Sequence, residues 1–225
     1  SFPTRRSSYL VGCGDKNETG NTTTDKVKTP STEQSDLKKF YGLGDNDVML
    51  MVNARLSESK GIVENGKMYV PASLASSLDS RFYWNEYDEL LYVTDATARR
   101  SYSSGSKTYK EDGQDKTTDS PMVITKGNEI YLCTQLLQQY GKMNVIESTE
   151  PNRISIITAG KKIYRASVKA EEGTVMREGG DITKPIVAEL DKGAVLYLAE
   201  DISGNTWSKV MTEDGRWGYV NNLET

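Results

Sequence analysis

The chain has 225 residues, 28 Lys and Arg against 32 Asp and Glu, no His and two Cys. That length holds one or two ordinary domains around a real core, and a net charge of −4 argues against nucleic acid, which needs a basic face. Without His there is no Ser-His-Asp triad, no Cys-His pair and no imidazole ligand for zinc, copper or non-haem iron, and Cys13 and Cys133 are too few for a multi-Cys site or a disulfide framework, so no cofactor and no metal site is expected.

In chain order, residues 2–8, Phe-Pro-Thr-Arg-Arg-Ser-Ser, resemble the translation of a sequencing adapter, and residues 1–8 are set aside from the fold as foreign. Without an initiating Met the chain is expected to be a processed or truncated product. Leu10-Val11-Gly12-Cys13 resembles the bacterial lipobox, in which the Cys is lipidated; the alternative is a free Cys in a disordered end. Residues 14–36 carry Val27 as their only aliphatic side chain until Leu37. Such a stretch buries too little apolar area to offset its ordering entropy, so residues 9–36 are expected to be a lipobox remnant and a disordered polar tether. No run of about 20 apolar residues is present to span a bilayer, so any membrane contact is expected through the lipid anchor alone.

The middle of the chain contains a repeat. Ile62-Val63-Glu64-Asn65-Gly66-Lys67-Met68-Tyr69-Val70-Pro71 and Val123-Ile124-Thr125-Lys126-Gly127-Asn128-Glu129-Ile130-Tyr131-Leu132 share a pattern, and Tyr69 with Tyr131, like Leu74 with Leu136, are 62 residues apart. Each copy predicts a strand, a tight turn at Asn65-Gly66 or at residues 126–128, a second strand, and a short helix. Pro71 suits the first helical turn; Cys133, Leu136, Leu137 and Tyr140 form one apolar face, with Gly141 placed to end the helix. Two further strands follow in each copy, at 81–85 with 90–94 and at 143–147 with 153–158. A preceding strand is expected at 48–52, and the second copy's counterpart at 107–110, although 107–119 otherwise reads as a solvated charged loop. Alternation puts Phe82 and Trp84 on one face and Tyr83 on the other, with Trp84 in the core. Cys133 reads as a small buried apolar residue.

These features, with the Asn65-Gly66-Lys67 turn, Tyr69-Val70-Pro71, Trp84-Asn85 and the Leu91-Tyr92-Val93 strand, resemble the copper amine oxidase N-terminal-like, or stalk, domain over residues 46–160. The second copy departs from the family pattern, with Cys133 in place of Pro and no Trp. The resemblance implies an extracytoplasmic spacer or binding module and no copper chemistry, since suitable ligands are absent. The fold class expected is α+β: a duplicated β-β-α-β-β stalk unit over 37–160, then a small all-β barrel over 165–225.

That barrel is read from short alternating strands at 166–168, 174–177, 185–190, 194–200, 207–212 and 216–220, separated in the later part by Gly-containing turns. Leu190-Asp191-Lys192-Gly193, Trp207-Ser208-Lys209-Val210 and Gly215-Arg216-Trp217-Gly218-Tyr219-Val220 resemble bacterial SH3 domains, which implies binding of cell-wall peptidoglycan. Trp207, Trp217 and Tyr219 are the candidate ligand-binding residues, because flat rings stack on sugars and extended peptides. The competing expectation is that Trp207 and Tyr219 belong to the barrel core, which leaves Trp217 as the surface candidate. Cys13 is the candidate lipidation site, and no catalytic or metal residue is assigned. Asp45-Asn46-Asp47 begins like a calcium loop, but its twelfth position is Leu56 rather than Glu. The order of tether, double stalk unit and SH3-like barrel resembles the N-terminal region of secreted Firmicutes family-18 glycoside hydrolases. The expectation is a non-catalytic wall- or glycan-targeting region at the surface of a Gram-positive bacterium; a stand-alone lipoprotein that binds peptidoglycan or a protein partner remains the alternative.

Overall fold

The computed structural model describes residues 28–199, 206–222 and 225, so Cys13 and residues 1–27 lie outside the described part. The elements run α1 (Leu37–Phe40), β1 (Asp47–Val52), β2 (Arg55–Leu56), β3 (Gly61–Glu64), β4 (Lys67–Pro71), α2 (Ala72–Leu78), β5 (Phe82–Asn85), β6 (Leu90–Thr94), β7 (Arg99–Ser103), β8 (Thr108–Glu111) and β9 (Gln114–Thr117). They continue with β10 (Val123–Lys126), β11 (Glu129–Cys133), α3 (Thr134–Tyr140), β12 (Met143–Ser148), β13 (Arg153–Thr158), β14 (Tyr164–Ser167), β15 (Thr174–Arg177), β16 (Ile186–Leu190), β17 (Val195–Leu198), β18 (Trp207–Thr212) and β19 (Trp217–Asn221).

The expected α+β class is wrong: the protein is mostly β. Three sheets carry the described residues, and the three helices have 4, 7 and 7 residues. A seven-residue helix is about two turns. α2 buries only Ala72 and Ala75, and α3 only Thr134, Leu136 and Leu137, so each helix plugs a sheet rather than forming a layer. Nor does the repeat make two separate β-β-α-β-β units, because its strands are dealt out between sheets. β3–β4 and β10–β11 meet inside one sheet of order β10-β11-β4-β3-β1-β13-β12, with β2 also on β1; β5 and β6 leave for a second sheet of order β5-β6-β7-β8-β9.

The join between the copies follows the repeat. Val70 pairs with Leu132, with Tyr69 opposite Cys133 and Pro71 opposite Tyr131, so β4 and β11 run antiparallel about a local two-fold through two residues 62 apart. Asn65 and Gly66 (φ 49° and 74°) make the β3–β4 turn with the positive φ that a two-residue hairpin requires. Residues 107–119 are not a loop: they form the hairpin β8–β9 about Asp112 and Gly113 (φ 49° and 85°). Gly141 ends α3 in an extended conformation (φ −74°) rather than a left-handed one. The faces of the two sheets and both longer helices enclose one core that contains Tyr69, Phe82, Leu91, Val93, Tyr102, Leu132, Leu136, Leu137, Ile154 and Ile156, with Trp84 partly buried against it.

The C-terminal unit is a six-stranded antiparallel sheet of order β14-β17-β18-β19-β15-β16. Its strands fold about a second core that draws on Val168, Met176, Val187, Leu190, Leu196, Leu198, Val210 and Val220. Gly218 lets β19 approach β15: a Cβ there would lie 2.6 Å from the Arg177 carbonyl oxygen and 2.7 Å from Met176 Cγ.

The last nine residues of the expected tether are ordered. Residues 28–36 run beside β16, with Ser35 N–H donating to the Ile186 carbonyl (2.7 Å) and Ile186 N–H to the Glu33 carbonyl (2.7 Å). Arg177 Nη1 donates to the Ser31 carbonyl (2.9 Å). Edge pairing uses backbone groups, so it needs none of the apolar side chains this segment lacks. α1, capped by the Asp36 carboxylate on Lys39 N–H (3.1 Å), then packs Leu37 and Phe40 on the C-terminal core before the chain enters β1.

Where that crossing occurs the two units are fused. Met49 and Met51 of β1 bury against Tyr197 and Met211, with Tyr41, Leu43, Ile157 and Trp217 around them. Arg153 of β13, its side chain 5% exposed, donates Nε to the Asp214 carbonyl oxygen (2.7 Å), pairs Nη2 with the Asp214 carboxylate, and donates Nη1 to the Thr149 (2.8 Å) and Pro151 (3.0 Å) carbonyls.

Candidate functional site: an aromatic face on the β18–β19 hairpin

Strand alternation decides where the three candidate aromatics go. Ser208, Val210, Gly218 and Val220 are buried and turn toward the C-terminal core. Their neighbours face the other way, in the pairs Trp207–Asn221, Lys209–Tyr219 and Met211–Trp217. One face of one hairpin therefore carries Trp207, Trp217 and Tyr219, with Lys209 between them.

The three are not equivalent. Trp207 and Tyr219, expected in the core, are half-buried and outside every core cluster; Gly180 sits under Trp207, where a Cβ would lie 3.1 Å from the Trp207 Cβ. Trp217, expected at the surface, is the packed one. Its ring lies 4.7 Å from Phe40 and 5.6 Å from Tyr41, and Lys209 Nζ lies 4.0 Å above it. Its Nε1 is buried and has no hydrogen-bond partner among the described residues. The Tyr41 hydroxyl donates to the Trp217 carbonyl (3.1 Å) and accepts from the Trp217 N–H (3.2 Å). Burial pushes that hydroxyl up to about 12, against the opposing pull of the Trp217 backbone. Partial burial of Lys209 lowers its pKa. The exchange of places has a simple cause: α1 brings Phe40 and Tyr41 to the Trp217 end of the face, whereas among the described residues Trp207 has Gly180 against it and stays half-buried. The sequence shows the alternation but not this long-range return of residues 37–41.

Chemically the face offers two accessible ring systems and one cation. Among the described residues no three His, Cys, Asp or Glu side chains converge as a metal site, and no helix is long and apolar enough to cross a membrane. Cys133 is 1% exposed in the N-terminal core, where burial raises its thiol pKa.

No curated protein and no solved structure matches the chain. Residues 51–156 match the family model of the copper amine oxidase N-terminal domain, and that stretch, from the end of β1 into β13, is what the chain shares with this non-catalytic, stalk-like family.

Proposed function

We propose that the chain is a non-catalytic surface region that holds and targets a secreted bacterial protein to cell-wall glycan. The stalk-like unit acts as the spacer, and the C-terminal unit, read as SH3-like, makes the contact. In this reading Cys13 carries a lipid anchor, and the protein served is a family-18 glycoside hydrolase.

The observation that carries it is the outward register of Trp207, Lys209 and Tyr219 on one face of the β18–β19 hairpin, opposite the buried Ser208, Val210, Gly218 and Val220. Aromatic rings stack on the C–H faces of sugars, and an ammonium group receives the carboxylates of wall stem peptides. Trp217 supports this face from below by fixing Lys209 above its ring.

Sedimentation of the chain with purified peptidoglycan tests the reading. Trp207→Ala combined with Tyr219→Ala removes both accessible rings; at about 1 kcal/mol for each ring contact, affinity falls by more than tenfold. Unchanged sedimentation of that double variant would overturn the site.

A further inference from the structure

Among the described residues all strand pairings but two are antiparallel. The exceptions are β1 with β13, over Met49–Val52 against Arg153–Ile156, and the Gln34–Ile186 bridge between residues 28–36 and β16. β1 is the first strand of the stalk-like unit and β13 its last. The chain therefore reaches that unit at the N-terminal end of β1 and leaves it at the C-terminal end of β13.

Because the two strands run the same way, those points lie at opposite ends of the pair. Tension along the chain drives β1 and β13 past each other, so their hydrogen bonds share the load. An antiparallel pair with the same connections would be pulled at one end and would unzip. The ladder suits a sliding load. Met49 N–H donates to the Asn152 carbonyl (3.0 Å) at one end, and Asn53 N–H to the Ile156 carbonyl (2.8 Å) at the other. Beyond it, Asn53 Oδ1 accepts from the Thr158 N–H (3.0 Å) and from the Thr158 hydroxyl (3.1 Å), at the point where β13 takes the load. Leu50, Met51, Ile154, Ser155 and Ile156 are buried, which keeps competing water off these bonds. β2 to β12 lie inside the loop that the pair closes, outside the path of the load. The outer bridge repeats the arrangement. β15 is antiparallel to both β16 and β19, so residues 28–36 run parallel to β19, the last strand, and tension slides them too.

We propose that the β1–β13 pairing is a tension clamp, which makes the stalk-like unit a load-bearing spacer that stays folded while the chain is pulled along its length. The proposal rests on the spacer reading for the source of the load, but on no glycan contact and on no residue of the β18–β19 face.

Single-molecule pulling of the full chain tests it, with handles on cysteines introduced at exposed positions in a Cys13→Ser background, where Cys133 is buried. Asp45→Cys with Lys161→Cys slides the pair, and Asp45→Cys with Thr149→Cys peels it from one end. At equal pulling speed the sliding geometry should hold to about twice the peeling force or more, because forced unfolding reads a barrier that is higher when several hydrogen bonds break together. It should then release about 400 Å of chain in one step. Asn53→Gly removes the carboxamide and suits the positive φ of 51° there. It should lower the sliding force and leave the peeling force unchanged. Equal forces in the two geometries overturn the clamp, and so does a sliding force that Asn53→Gly leaves at the wild-type value. A chain that shows the force difference yet fails to sediment with peptidoglycan keeps the clamp and rejects only the glycan reading.

Discussion

Arg153→Met should uncouple the two halves of the protein. The substitution keeps an unbranched stem as far as the Nε position and deletes a guanidinium whose side chain is 5% exposed and bonds four ways: to the backbone and carboxylate of Asp214 in the C-terminal unit, and to the Thr149 and Pro151 carbonyls in its own. Removing one partner of a buried pair costs about 3–5 kcal/mol. Asp214 is 33% exposed and keeps Arg216 Nε at 3.1 Å, so the lower end, about 3 kcal/mol, applies here. The pH dependence follows from Asp214. Its burial raises the carboxyl pKa, but the Thr212 hydroxyl and the Arg153 and Arg216 charges outweigh that and hold it below the ordinary range. A carboxylate depressed in the folded state contributes stability above its unfolded value, near 3.9, and loses it as pH falls through the folded value. Urea unfolding of wild type and variant should therefore differ fully at pH 7, and the gap should narrow below about pH 4. A double-mutant cycle with Asp214→Ala should give a coupling above about 1 kcal/mol. A difference under about 1 kcal/mol at pH 7, or one unchanged down to pH 3, refutes the role of this pair.

Three further outcomes follow from the packing. Gly218→Ala should destabilise by about 1–3 kcal/mol, because its Cβ meets the Arg177 carbonyl and Met176; a variant with wild-type thermal unfolding contradicts that contact. Asp79 accepts from Arg81 and from the Lys142 N–H (3.0 Å), and the Arg81 hydrogen bond in particular holds its carboxyl down to about 2. That contribution is present above an unfolded value near 3.9 and lost toward pH 2, so Asp79→Asn should flatten the acid limb of the stability curve between those values and leave its slope at pH 6–8 unchanged. In a Cys13→Ser chain, the buried Cys133 thiol should react with a thiol reagent at pH 8 only after denaturant is added, and rapid native reaction would show that the core opens locally.

The sequence is most informative where one short-range rule acts alone. The Asn65-Gly66 turn, the 62-residue offset and the C-terminal strands are each legible from local chemistry, and the observed strands begin and end within a few residues of the expected ones. Long-range pairing is not legible. β1 lies parallel to β13, Met49 opposite Arg153, across about 100 residues, and no local pattern in either strand names the other. β9 is exposed at all four positions, so it has no alternation to read, and only its Asp112-Gly113 turn betrays the hairpin. The same limit reverses the aromatic residues. The expectation divided Trp207, Trp217 and Tyr219 between core and surface, whereas the hairpin register puts all three on one side, and which of them is packed depends on Phe40 and Tyr41, almost 180 residues away. The α+β expectation gave full weight to two helical patterns; with seven residues each, those helices are too short to make a layer.

The central claim is that the Trp207 and Tyr219 side of the β18–β19 face meets wall glycan, and the protein carries its own reporter for it. Of its three tryptophans, Trp84 packs on the N-terminal core, Trp217 packs with Phe40, Tyr41 and Lys209, and Trp207 is half-buried on the candidate face. Titration of the chain with solubilised peptidoglycan fragments should shift and quench tryptophan emission, and Trp207→Phe should abolish that change while leaving the fold intact. A full response that persists in Trp207→Phe, or no response in the wild type, would contradict the account.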